Sequence, residues 1–101
     1  MTGDPGEGTR APAEELADAV LAVPGVVALH SGLFGEVATY LPGRRVPGVA
    51  IRDDDGEIHL IVDLAHDLQS VATRVREIAE EATGRPFTVV VEDVESDRRV
   101  G

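Results

Sequence analysis

The chain has 101 residues, a formal net charge of −10, no cysteine and three aromatic residues, Phe34, Tyr40 and Phe87. That length fits one domain with an aliphatic core of Val, Leu, Ile and Ala, and the absent thiols exclude disulfides, thiolate zinc sites and a cysteine nucleophile. Every basic residue is Arg, and the acidic excess argues against nucleic acid, whose phosphates need cations, and against an anionic membrane surface.

Residues 1–11 are Gly-, Pro- and acid-rich without an apolar pattern, and a disordered N-terminal tail is expected there. Pro12 suits the first position of a helix, with Glu14 and Glu15 in its first turn. Leu16, Ala17, Val20 and Val23 form its apolar stripe, and Pro24-Gly25 stops it, so a helix is predicted over 12–23. Candidate strands follow at 26–30, 36–41 and 46–52, the last near an edge at its start because Pro47 has no N–H to donate. Asp55-Gly56 signals a hairpin into a strand over 58–64, in which Ile58, Leu60, Val62 and Leu64 alternate.

The clearest element comes next. Leu68, Val71, Ala72, Val75, Ile78, Ala79 and Ala82 recur at the spacing of one helix face. Asp67 is placed to cap that helix, and Gly84 and Pro86 to end it. Phe87, Val89 and Val91 alternate in a closing strand, and a crossover helix of this length joins two parallel strands. The domain is therefore expected over 12–94, with a polar tail at 95–101. Its fold class is α+β: a two-layer domain with a mixed, mostly antiparallel sheet and two helices on one face.

Period two sends Leu60 and Val62 to the core and Ile61 outward, and Val90 outward by the same count. The sheet face away from the helices then carries Ala50, Ile61, Ala65 and Val90 among His59, Asp63, Thr88 and Glu92. Of these, Ala50, Ile61, Asp63, Val90 and Glu92 are the expected interaction residues, with the two acids as a polar rim.

Motifs with chemistry are few. Asp53-Asp54-Asp55-Gly56 lacks the alternating ligands and closing Glu of a calcium loop, and reads as a solvated turn. His30, His59 and His66 read as surface or turn residues; His59 and Asp63 share a strand face but stand ~13 Å apart along it. Ser31 and Ser70 lie in no nucleophile elbow. Gly32-Leu33-Phe34-Gly35 has the outline of an RNA-clamping GxxG loop, yet lies between strands and has apolar middle residues. Arg44-Arg45 reads as an ordinary solvated turn with modest anion affinity. No catalytic residue, cofactor site or metal site emerges.

Three stretches carry a resemblance. They are AVLAVPGVVAL, with a helix ending in Val-Pro-Gly-Val; VPGVAIRDDDGEIHLIVDLA, a hairpin with a Gly-Val entry; and LQSVATRVREIAEEATGRPFTVVVEDV, with a Val-Arg-Glu helix, a Thr-Gly break and a closing Val-Glu-Asp-Val. In this order, over about residues 17–94, the chain resembles the alkaline shock protein family of Gram-positive bacteria. The resemblance implies a non-enzymatic cytoplasmic protein of the envelope stress response and cell-envelope homeostasis. It also implies protein partners, among them a membrane-anchored relative, or a homo-oligomer. It supplies no catalytic residue. The chain departs from the family by being short, strongly acidic and free of Lys.

No apolar run reaches the ~20 residues of a membrane span, and the N-terminus lacks a signal-peptide pattern. A cytoplasmic location without direct membrane insertion is therefore expected, with any membrane association made through a partner. The leading function is an interaction domain; the alternatives are a small metal-independent hydrolase or a nucleic-acid-binding module.

Overall fold

The computed structural model describes residues 10–96, so most of the expected N-terminal tail and the end of the C-terminal one lie outside the described residues. Helix α1 (Pro12–Leu21) starts where proline needs no intrahelical partner. The Glu14 side chain turns back to accept from the Ala11 N–H at 3.0 Å. Helix α2 (Leu68–Thr83) is capped by Asp67, whose carboxylate accepts from the Ser70 N–H, and ends at a left-handed Gly84. The strands are β1 (Val26–Leu29), β2 (Ala38–Leu41), β3 (Arg44–Pro47), β4 (Val49–Ile51), β5 (Gly56–Asp63) and β6 (Phe87–Glu95).

β5 is the central strand. β6 runs parallel along its whole length, from Gly56↔Phe87 to Asp63↔Glu95, with α2 as the crossover. The other edge of β5 is shared. β1 pairs antiparallel with its second half (Leu29↔Leu60) and β4 with its first (Val49↔Ile58). His59 joins the two: its C=O accepts from the His30 N–H at 2.9 Å, and its N–H donates to the Gly48 C=O at 3.0 Å. β1 and β4 are thus one strand line, interrupted by residues 31–47, which leave the sheet and return.

That excursion corrects the expected strand over 46–52, which divides at Gly48 into β3 and β4. A side chain at Gly48 would put its first carbon 2.7 Å from Leu29 Cβ, and the residue sits at φ +84°, where only glycine is comfortable. β2 and β3 form a separate antiparallel hairpin, Thr39↔Val46 and Tyr40↔Arg45, turning at Pro42-Gly43. It is fastened to β4 by Thr39, whose hydroxyl donates to the Val49 C=O at 2.7 Å. Arg44 ties it to α1 through two bonds to the Glu14 carboxylate, at 2.6 and 3.1 Å. The expected strand over 36–41 is shorter than foreseen, because Glu36 and Val37 serve the preceding loop.

The Asp55-Gly56 signal also has a different cause. The turn is closed by the Arg52 N–H on the Asp55 C=O, and Gly56 already belongs to β5. A side chain there would run into the ring of Phe87, so glycine is required by the close approach of the ring.

The core is one cluster. Leu16, Ala17, Val20 and Val23 from the first helix and its exit meet Val71, Val75 and Ala79 of α2 over Ile58, Leu60 and Val62 of β5. Both helices therefore lie on the same sheet face, giving the expected two-layer α+β arrangement. The alternation of β5 stops one residue early: Leu64 lies beyond the strand and is 58% exposed. Leu68 and Ala82, at the two ends of the α2 stripe, are also exposed, since the sheet lies under the middle turns only.

Candidate functional site

Facing away from the helices, β5 presents Glu57, His59, Ile61 and Asp63. β6 adds Thr88 and Val90, register partners of Glu57 and His59, and β4 adds Ala50 opposite Glu57. Ile61 and Val90 are half-buried, and among the described residues no helix covers them. Ala50, expected among the exposed residues of this face, is 8% exposed and offers little surface. Ala65 falls past the end of β5 and is not part of the sheet. Asp63 is half-buried, its carboxylate accepting from the Ala65 N–H at 2.9 Å. Glu92 is exposed as a residue, yet its carboxylate is engaged on the sheet.

A bulge in β6 shapes this face. Leu60 pairs with Val91 but Ile61 pairs with Asp93, so Glu92 is the extra residue. Two consecutive acids, Glu92 and Asp93, thereby serve the open face. Val94 comes into register with the buried Val62, where strict alternation from Val91 would have sent it outward.

His59 is the main correction to the sequence reading. Expected at the surface, it is 7% exposed and is the buried polar side chain among the described residues. Its Nδ1 faces Glu92 Oε2 at 2.5 Å and its Nε2 faces Glu57 Oε2 at 2.7 Å. Ionised carboxylates only accept, so both ring nitrogens must carry protons for both bonds to form. Desolvation pulls the imidazole pKa down, but the two carboxylates outweigh it and the net shift is upward. The His59 bond holds the Glu57 carboxyl below its ordinary value against desolvation, with help from Arg52. Glu57 followed by His59 at i+2 is a same-face pair that the sequence displays; Glu92 needed the β5–β6 register.

Of the remaining candidates, His30 lies beside His59 in the strand line, its ring Nδ1 accepting from the Gly32 N–H, and the others do not converge. Glu57 and Glu92 bind opposite nitrogens of one ring, so they cannot share an ion, and no cluster of metal-holding groups occurs among the described residues. His66 lies 3.9 Å from Asp63 at the surface. The Ser70 hydroxyl donates to Asp67 at 2.5 Å within the helix cap. Arg44 is committed to Glu14, which separates it from Arg45 as an anion site. Among the described residues no helix is long and apolar enough to cross a membrane.

No protein-family model, curated protein or solved structure matches the chain.

Proposed function

We propose that this protein is a non-enzymatic interaction domain of the alkaline shock type, cytoplasmic and acting in cell-envelope homeostasis. It works by self-association or by binding a membrane-anchored protein partner through its open sheet face. The observation that carries this reading is the placement of both helices on one side of the sheet, which leaves Ile61 and Val90 without a covering layer among the described residues. An apolar centre with acidic groups around it, Asp63 and Glu92 here, has the composition of a contact surface. The non-enzymatic reading is supported by His59. Its two nitrogens are both taken by carboxylates of its own chain, which leaves neither for a substrate proton.

The test is the double variant Ile61→Glu, Val90→Glu, checked for folding by circular dichroism and then by sizing and by pulldown from membrane extracts. Loss of self-association or of a specific membrane protein is expected. A folded variant that keeps every contact would remove the open face from the proposal.

A further inference from the structure

The excursion over residues 31–47 is not required to continue the sheet, since β1 and β4 already form one line along β5. Its first part is a built loop. The Val37 N–H donates to the Ser31 C=O at 2.9 Å, and the Gly35 N–H to the Gly32 C=O at 3.2 Å. The Gly32 N–H donates to His30 Nδ1 at 3.0 Å, and the Phe34 N–H to the Glu36 carboxylate at 3.0 Å. The loop thus spends its polar groups on holding its own shape. What it shows to solvent is largely apolar, Leu33 being 84% exposed and Phe34 90%, with the carboxylate of Glu36 exposed beside them.

The hairpin beside it extends the feature. Tyr40, 69% exposed, lies directly opposite Arg45, so the two side chains share one side of the hairpin. The Arg45 guanidinium reaches the loop, 3.9 Å from where a side-chain carbon of residue 35 would stand. Two of the three aromatic residues of the chain are therefore exposed in this one segment, next to an arginine. Exposed aromatic and Arg residues on a rigid support are the usual anchors of protein contacts.

We propose that the Leu33–Phe34 loop, with Tyr40 and Arg45, is a second docking surface that inserts into an apolar cleft of another protein carrying a carboxylate at its edge for Arg45. This surface shares no residue with the open sheet face and does not depend on the function assigned to that face. Charge selects the partner. The open face of a second copy offers Arg45 carboxylates that are already engaged, Glu57 and Glu92 on His59 and Asp63 on the Ala65 N–H; an anionic membrane repels a chain of net charge −10. A protein cleft with a carboxylate satisfies both the apolar pair and the guanidinium.

The experiment replaces Phe34 by photoreactive benzoylphenylalanine in the full chain, irradiates the producing cells, and identifies the adduct. The cross-linked protein is then purified and titrated with wild type, Phe34→Ala, Arg45→Glu and the Ile61→Glu, Val90→Glu variant. A protein other than this chain is expected. Phe34→Ala should weaken its binding by roughly thirtyfold, the size of an anchor residue. Arg45→Glu should weaken it as well, with recovery when a carboxylate at the cross-linked cleft is changed to Lys. The open-face variant should bind like wild type. An adduct only with a second copy, no adduct, an unchanged affinity for Phe34→Ala, or loss through the open-face variant would each overturn the proposal. So would binding of wild type, but not Phe34→Ala, to phosphatidylcholine or phosphatidylglycerol vesicles without any protein adduct.

Discussion

His59 Nδ1 and Glu92 Oε2 lie 2.5 Å apart across the β5–β6 pair, and the second ring nitrogen of His59 is held by Glu57 at 2.7 Å. A neutral imidazole has one N–H, so deprotonation leaves a lone pair against a carboxylate on a nearly buried side chain. The folded-state pKa of His59 is raised, so its stabilisation is fully present below the unfolded value of about 6.5 and is lost as pH rises through the folded value. Urea midpoints measured from pH 6 to pH 9.5 should fall for the wild type and stay flatter for His59→Gln. Equal slopes in the two proteins would show that the clamp does not titrate in this range.

The acid side has the opposite sign. Arg44 and the Ala11 N–H hold the Glu14 carboxyl down to about 2, and the carboxyls of Glu57 and Asp67 are also lowered. These contributions are present above the ordinary carboxylate range and are lost as pH falls from about 4.5 towards 2. Glu14→Gln should show a shallower loss over that window in the same urea titrations. Because the Glu14–Arg44 pair is exposed, its effect at neutral pH should be small and should shrink with salt.

Val75 and Leu60 are both fully buried in the cluster between α2 and β5. Val75→Asp places an unpaired carboxylate there, at a cost of several kcal/mol against a total of roughly 5–15 kcal/mol. The variant should be unfolded by circular dichroism at neutral pH. A wild-type melting curve would show that this face of α2 is not packed on the sheet.

Gly48→Ala tests the division of the edge strand. It adds a carbon 2.7 Å from Leu29 Cβ at a residue with φ +84°. A loss of about 1–3 kcal/mol is expected from equilibrium unfolding. A neutral result would mean that the chain crosses β1 less closely at this point.

Calcium and zinc should leave the melting temperature unchanged. The Asp53–Gly56 turn lacks ligand spacing, and Glu57 and Glu92 approach opposite sides of one ring. A ligand that binds only the folded chain raises its stability, so a rise of several degrees would reveal a site.

The elements with strong local periodicity were legible in the sequence. The α2 stripe, the Asp67 and Gly84 boundaries, the α1 stripe ending at Val23 and the parallel β5–α2–β6 unit all follow from neighbours two to four residues apart. The α+β class follows from their order, and the outward placement of Ile61 and Val90 from period-two alternation. What tertiary structure decided are relationships between residues far apart in the chain. The bulge at Glu92 depends on the register of β6 against β5, and with it the contact between Glu92 and His59. The division of the 46–52 segment at Gly48 depends on the strand line that β1 had already begun on β5, and the glycine at 56 depends on a ring thirty-one positions later, that of Phe87. Side-chain periodicity reports which face a residue takes within its own element, but carries no term for the register between elements, so a pair such as His59 and Glu92 becomes visible only when the strands are docked.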